Sequence, residues 1–501
     1  MNLITSRYGT KWAAPLLVLL LAALYAATAL PGLGYTDDTA EFQLVGKVLG
    51  VPHLTGYPAY TVINHLFVTL FPFGEVPLKA NLLSGLFTIL AALVIFYKMK
   101  AMGIGTPVAF LVTSGFALNL SIWVQSIIAE VYSFNLLYVS LVFFFLLKWH
   151  QTRKNLHFYL ALGCYAFSFG NHLTMITFLP AILYLLWVDD RSVFTDWRRI
   201  GWLTLLGLLA AAQYGYLFWR YYDPATPYLA MQTPTIGKLF WYLSGGHAKG
   251  MMFSYSLSQI LVERIPLFAR LFFREYGLLL AVAVYGFLRL QDRRWQICIA
   301  LAFLGNVGYA LNYRITDIYA YLLPSHMFLA VLLAYGCQEI IRKLGSRMQK
   351  WAVAALVLFP VINFACNLPH IRVVNRDVAD PRVEETLQMV GRDALIVCPN
   401  SHHWHYFLYH VIAGDYQARN IHILPFDNAA KLHDYLYENR PLSLFETRTT
   451  LSPGMTVYFY DVPFTFRQTL QRDAYEMTAV TPWLYRMAAR APIIISEGGE
   501  N

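Results

Sequence analysis

Charge is scarce in this 501-residue sequence. Asp, Glu, Lys and Arg together make up 13% of it, where a soluble domain carries about 25%, so charge is too thin to coat a globule of this size. Hydrophobic residues reach 57% and the mean hydropathy is +0.46. The shortage excludes a disordered chain, a collagen-like chain and a nucleic-acid binder working through a basic surface. Cysteine is scarce as well. Cys164, Cys298, Cys337, Cys366 and Cys398 lack metal-ligand spacing and fall mostly in apolar runs, which excludes a disulfide framework; only Cys366 and Cys398 could meet. No fixed-period repeat is visible, and Gly245-Gly246 has no strand and helix around it to make a phosphate-binding loop.

Long apolar runs are what the sequence has instead. The first, Trp12–Leu30, carries no charge and approaches the roughly 20 residues that a helix needs to cross a bilayer. Ala26, Ala27 and Ala29 resemble a cleavage site, but a cleavable apolar region is only about 7–15 residues long, so an uncleaved first helix is expected. Ten more runs follow at Leu78–Tyr97, Pro107–Leu120, Val131–Leu147, Phe158–Gly170, Leu173–Val188, Gly201–Trp219, Tyr276–Leu288, Trp295–Leu311, Ala320–Gln338 and Trp351–Asn367. The expectation is an α-helical polytopic membrane protein with roughly eleven transmembrane helices over residues 1–367.

Basic residues set its orientation. Arg7 and Lys11; Lys98 and Lys100; Lys148, Arg153 and Lys154; Arg191, Arg198 and Arg199; Arg289, Arg293 and Arg294; and Arg342, Lys343, Arg347 and Lys350 all fall on one side of that topology. The positive-inside rule makes that side cytoplasmic. An odd number of spans then places residues 368–501 outside the cell's inner membrane. This segment reverses the charge balance, with 12 basic against 15 acidic residues. Its short β-like runs (Ala394–Cys398, Ile421–Leu424, Met455–Tyr460) and interleaved helical stretches (Pro381–Val390, Ser401–Ile412, Ala429–Tyr437) predict a small extracytoplasmic α/β domain. Two outer loops are long, 31–77 and 221–275. In the second, Leu257–Phe273 has apolar residues at helical spacing beside Glu263, Arg264 and Arg270, as in a helix lying in the interface.

Polar groups at membrane depth are costly and therefore point to function. On this topology they gather at the outer rim: Asp37, Asp38, Glu41 and His53 in the first loop, Gln125 and Glu130 at the outer end of the fourth helix, Asn171 and His172 in a hairpin, and Asn312, Tyr313, Arg314, Asp317 and Tyr319 before the tenth. Each has a plainer explanation. Asp38 and Glu41 share a helical face and could form a solvated first turn. Arg314 could pair with Glu130 or with Asp317, and Asn171-His172 could cap the hairpin. His402, His403, His405 and His410 crowd the tail, but without a nearby Cys or HExxH they read as no metal site.

Several of these stretches resemble one known family. Asp38-Thr39-Ala40-Glu41-Phe42, then Leu49 through His53-Leu54-Thr55-Gly56-Tyr57-Pro58, are similar to the signature of the Transmembrane Protein 260-like protein O-mannosyltransferases. Trp123 through Glu130-Val131-Tyr132-Ser133, Gly170-Asn171-His172-Leu173-Thr174, and Asn312-Tyr313 through Asp317 to Leu323-Pro324 follow in the family's order. The departures are Thr39-Ala40 for Ser-Gly and Leu54-Thr55 for Pro-Pro, the second making the loop less rigid.

The resemblance implies a GT-C glycosyltransferase fold, a polyprenyl-phosphate sugar as donor substrate, no cofactor or metal, and work on the outer face. It implies catalysis by Asp38 and Glu41, with Asp38 taking the acceptor's proton. Donor or substrate contacts would then come from His53, Tyr57, Glu130, Tyr132, Asn171, His172, Asn312, Tyr313, Arg314 and Asp317, with Arg264 and Arg270 next in line for the phosphate. Partners would be the bilayer, the lipid-linked donor and a protein or glycan acceptor. A transporter or flippase is the competing class, but its site would lie near the midplane between repeated halves. Orientation is testable directly: cysteines introduced near Arg153 and Arg294 should react with impermeant reagent only from the cytoplasm, and those near Asp38 and in the tail only from outside. Labelling of the Asp38 loop from the cytoplasm alone would overturn this topology.

Overall fold

A computed structural model describes residues 7–34, 38–53, 55–230, 235–243, 246–374, 381–398, 402–425, 432, 435, 440–444, 446–461 and 476–488. Asp37 and most of the stretch 429–437 lie outside them. Helix dominates up to residue 374. The chain runs through α1 (Arg7–Thr28), two short helices α2 (Thr39–Val48) and α3 (Pro58–Leu70), then α4 (Val76–Ala101), α5 (Thr106–Ala117), α6 (Leu120–Ile127), α7 (Tyr132–Thr152), α8 (Asn155–Ser168) and α9 (Leu179–Asp189). After α10 (Trp197–Ala212) and α11 (Gly215–Tyr222) come the short α12 (Ile236–Leu243) and α13 (Leu257–Gln259), then α14 (Ile265–Tyr276), α15 (Leu279–Arg289), α16 (Arg293–Leu311), α17 (Leu323–Lys343), α18 (Ser346–Leu356) and α19 (Leu358–Val374).

All eleven apolar runs fall on helical chain, and among the described residues six helices are long and apolar enough to cross a membrane, or up to eight if each sharply bent pair counts as one span. At 26 residues and 1.5 Å per residue α4 reaches about 39 Å. With α7 and α17 it forms the buried centre, while α1, α10 and α18–α19 turn Trp12, Leu19, Leu208, Trp351 and Ile362 outward. Large exposed apolar side chains on the rim of a helical bundle are what a bilayer solvates.

The two bends have visible causes. Between α5 and α6 the axis turns by 65°, and the freed amides of α6 are met from another helix: the Glu275 carboxylate accepts from Leu120 N (2.7 Å) and Ser121 N (3.1 Å). This places an anion where a helix N-terminus favours one. The run Leu257–Tyr276 meets α15 at 97°, turning at Gly277, whose φ of +52° suits glycine. The amphipathic stretch expected here is therefore helical and set across its neighbour.

Beyond α19 the grammar changes. α20 (Pro381–Met389) and α21 (His402–Ile412) accompany strands β1 (Ala394–Cys398), β2 (Ile421–Pro425), β5 (Thr456–Tyr460), β6 (Glu476–Ala479) and β7 (Leu484–Ala488) in a sheet ordered β2-β1-β5-β7-β6. β1 pairs in parallel with β2 and β5, and the last two strands are antiparallel. Every residue of β1 is buried, which explains its unbroken apolar run. A separate hairpin, β3 (Leu442–Leu444) with β4 (Thr449–Leu451), was not visible in the sequence pattern. Cys164, Cys298, Cys337 and Cys366 are free thiols.

One crossing depends on having no side chain. A Cβ on Gly286 would stand 2.0 Å from the Leu332 carbonyl oxygen, and one on Gly336 2.2 Å from that of Val282, so α15 and α17 touch backbone to backbone as small residues permit in membranes. Gly286→Ala and Gly336→Ala should each cost about 1–3 kcal/mol, as overpacking does. Melting of purified protein in detergent checks this; unchanged midpoints would show that the helices part freely.

Candidate functional site

The first outer loop is built to present two carboxylates differently. Asp38 stands at the N-terminal end of α2 without capping it. Its side chain is 48% exposed, whereas that of Glu41, one turn later, is completely buried. Nearly all of α2 is buried, so the solvated first turn that would account for this pair is excluded. Gly56 (φ +79°) and Tyr57 (φ +36°) make a left-handed corner before Pro58 opens α3. Non-glycine residues rarely take such angles outside functional sites, and this corner returns His53 to α2.

His53 joins the acids. Its Nδ1 bonds Glu41 Oε2, its Nε2 lies 3.3 Å from Asp38 Oδ2, and its backbone N–H donates to Glu41 Oε1 at 2.9 Å. The Tyr228 hydroxyl donates to the same oxygen at 2.7 Å. Burial alone would push the Glu41 carboxyl up, but the charges of His53 and His405 and the hydrogen bonds from His53 and Tyr228 hold it at about 2. Burial would likewise depress His53, yet Asp38 and Glu41 raise it to about 9. The pair is ionised at neutral pH.

A second ring of groups surrounds this core. Glu130, buried at the start of α7, accepts from the Asp38 backbone N–H at 3.2 Å. Tyr132 donates to Asp317 Oδ2 at 2.8 Å, and burial holds the Asp317 carboxyl above its ordinary range, with Tyr132 opposing and Asp38 reinforcing the shift. Gln125 donates to the Tyr319 hydroxyl at 3.2 Å. His172 packs against Tyr57, Tyr132 and Tyr321, with ring centroids 5.4–6.0 Å apart, and Tyr313 packs on Tyr321. Burial, then the His53 charge, lowers His172 to about 4, so this ring is neutral. Asn171 ties the hairpin to α7 through the Val131 carbonyl at 3.2 Å.

The structure thus brings together Asp38, Glu41, His53, Tyr57, Glu130, Tyr132, Asn171, His172, Tyr313 and Asp317. Asn312 and Arg314 face elsewhere. Asn312 accepts from Tyr255 N at 2.9 Å, and the exposed Arg314 guanidinium stands 5.0 Å over the Tyr255 ring instead of pairing with Glu130 or Asp317. Arg264 is buried and donates to the carbonyls of Ala310, Leu311 and Tyr313 at 3.1–3.2 Å. It fastens the end of α16 and is committed there, which corrects its reading as a phosphate contact. Arg270 is exposed, with Nε directed at the Pro266 carbonyl.

The histidines of the tail separate. His403 is buried against Tyr460, while His405 Nε2 comes within 3.9 Å of Glu41 Oε1. Sequence reasoning missed His405 and Tyr228 as parts of the site; no local motif marks either. Among the described residues, one group could hold a metal ion: Asp38, Glu41 and His53, whose donor atoms lie within 4.8 Å of one another. His53 already directs one ring nitrogen at each carboxylate, so a cation would have to displace one of those contacts.

Residues 38–195 match the family described as the Protein O-mannosyl-transferase TMEM260 N-terminal domain. Protein O-mannosyl-transferase TMEM260 of Mus musculus is 30% identical over 200 residues, 38% of this chain and 28% of that protein. The Dictyostelium discoideum protein is 21% identical over 220 residues, 40% and 27% of the two chains. The match therefore spans less than a third of these curated relatives. ArnT from Cupriavidus metallidurans, solved bound to undecaprenyl phosphate, superposes with a TM-score of 0.62 over 96% of this chain and 99% of its own at 12% identity. Arabinofuranosyltransferase AftD from Mycobacteria does so with a TM-score of 0.53 over 97% and 40%, also at 12% identity. The likeness to ArnT and AftD shows a shared multi-pass membrane fold.

The Glu41–His53 pair gives the site a pH signature. His53 is raised above its ordinary 6.5, so its stabilisation is full below that pH and lost as pH rises through about 9. Glu41 is lowered from 4.5, so its contribution is full above that pH and lost as pH falls through about 2. The melting-temperature advantage of wild type over His53→Asn should therefore be greatest between about pH 4.5 and 6.5 and vanish above about pH 9. A difference independent of pH would show that the pair is not ionised.

Proposed function

We propose that the chain is a membrane glycosyltransferase. It moves a sugar, mannose or one like it, from a polyprenyl-phosphate carrier to a hydroxyl of a protein or glycan at the outer face of the cell's inner membrane. In this reading residues 1–367 form the GT-C-like membrane part, crossing about eleven times from a cytoplasmic N-terminus, and residues 368–501 form an extracytoplasmic domain. One observation carries it: an accessible carboxylate, Asp38, stands beside a buried ion pair in the loop where the family match begins. The likeness to a structure holding undecaprenyl phosphate and to O-mannosyl-transferases supports the donor and the sugar.

The chemistry balances without a cofactor. The acceptor oxygen attacks the anomeric carbon, the bond from that carbon to the phosphate oxygen breaks, the proton passes to Asp38, and polyprenyl phosphate leaves. Asp38 is the base because it is the accessible acid, its carboxylate set against His53. Glu41 is enclosed and its oxygens are engaged, so it orients His53. Tyr57, Tyr132 and His172 offer an aromatic wall of the kind on which a sugar ring stacks. An apolar groove of about 560 Å³ runs between α8 and α10, lined by Tyr165, Phe169, Leu173, Ala210 and Tyr214 and ending beside the His172 hairpin. That groove suits an isoprenoid chain.

Membranes containing the protein should release sugar from one member of a panel of polyprenyl-phosphate sugars. Asp38→Asn should insert normally and lower transfer by about 10²–10⁴-fold, or about 3–5.5 kcal/mol in the barrier. Glu41→Gln should lose less. Wild-type transfer by Asp38→Asn at matched protein level would remove Asp38 from the mechanism. Movement of an intact solute with no sugar–phosphate bond broken would favour the transporter.

A further inference from the structure

Glu41 Oε1 is approached by three groups, the His53 backbone N–H, the Tyr228 hydroxyl and His405, and the last two trace back to the C-terminal region. The direct route is α21, which packs on α2: His405 Nε2 lies 3.9 Å from Oε1, and the neighbouring Tyr406 hydroxyl donates to the Leu33 carbonyl at 2.5 Å. The indirect route begins at the β3–β4 hairpin. There the Glu446 carbonyl accepts from Leu229 N at 2.9 Å, and Arg448 donates to the Asp223 carbonyl at 2.7 Å while covering the Tyr221 ring. The segment so held carries Tyr228. It is also zipped to the first loop, through Val51 N to the Tyr228 carbonyl at 3.0 Å and Ala230 N to the Val51 carbonyl at 2.8 Å. Both routes converge on one oxygen atom of a carboxylate that is completely enclosed.

We propose that the C-terminal region is a working part of the active site, in which His405 is a positioning residue acting through Glu41 on His53 and thereby on Asp38. The argument is geometric. A carboxylate inside protein keeps one orientation only while its partners fix it, and the other oxygen of this one holds the imidazole that faces Asp38. Withdrawing His405 and the anchored tyrosine leaves Glu41 with fewer partners, and rotation of its carboxylate carries His53 away from Asp38. The tail histidines are therefore not dispensable as a group. His403 serves the packing around Tyr460, and His405 serves the site.

This inference rests on the glycosyltransferase reading, and a double-mutant cycle separates the two. Four full-length proteins are compared in membranes with the polyprenyl-phosphate sugar that wild type uses: wild type, His405→Ala, Glu41→Gln and the double variant. His405→Ala should lower kcat about tenfold with donor KM unchanged, and add less than about twofold once Glu41 is Gln, because contacting residues couple. His405→Gln, which keeps a donor, should recover most of the loss. Equal losses in both backgrounds would overturn the proposal. Should His405→Ala fail to insert, Arg448→Ala with Tyr228→Phe makes the second cycle, with the same non-additivity expected and additivity again refuting. Wild type that transfers sugar from no donor overturns the function itself. The tail's link to Glu41 is then judged by melting temperatures of the same four proteins, where additive shifts refute it and coupled shifts sustain it.

Discussion

The charge on Glu41 organises the outer end of this protein. A carboxylate withdrawn from water loses several kcal/mol of hydration, which only close partners can offset, and Glu41 has no exposed side-chain surface. α2 carries it, and its partners come from three other parts of the chain: the loop before the Gly56-Tyr57 corner brings His53, the segment after α11 brings Tyr228, and α21 brings His405. Removing any one leaves an uncompensated buried charge. The requirement also separates the roles of two acids one helical turn apart. Glu41 is held ionised and inaccessible, and Asp38 is left open to a reacting group. Environment, not residue type, distinguishes orienting group from base.

This arrangement holds its geometry because the helices beneath it are cross-linked by polar groups. Gln43 donates to Asn81 Oδ1 at 3.0 Å and accepts from Gly34 N at 3.0 Å, which closes the first loop over α4. Ser84 bonds the backbone of Glu130, and Thr88, Ser126 and Ser133 bond one another between α4, α6 and α7. Such bonds have no water competing for them in a bilayer-embedded core. At the other end of the bundle, His150 joins Asp189 of α9 and Asp292 before α16, and Arg153 and Arg294 add to Asp189. The frame is stiff at both rims, so the site lies on fixed elements.

The apolar runs and the rim of polar residues were legible because bilayers impose length and hydropathy on any span. The acids were legible because α2 puts Asp38 and Glu41 beside each other locally. What was hidden is non-local. Tyr228 lies 187 residues from the carboxylate it serves, and its neighbourhood carries no periodicity. Arg264 and Arg314 look alike in sequence, both basic and in outer segments; only the fold shows that Arg264 is saturated by carbonyls and Arg314 is exposed. The tail histidines looked like a failed metal motif because spacing alone cannot show that neighbours on one helix point into different surroundings. Strands β6 and β7 escaped notice because antiparallel pairing near a sheet edge tolerates the polar residues that obscure a strand pattern.

The acids crowded at the outer rim differ in how much of their charge they expose. Glu130 accepts from the Asp38 backbone, and burial, reinforced by Asp38, holds the Asp317 carboxyl above its ordinary range. The Glu41 charge is enclosed behind His53, Tyr228 and His405. The rings of Tyr57, Tyr132 and neutral His172 separate the acids from the apolar groove beside α8 and α10. The same partition that keeps Glu41 ionised thus leaves one exposed carboxylate, Asp38, on one side and an aromatic wall on the other.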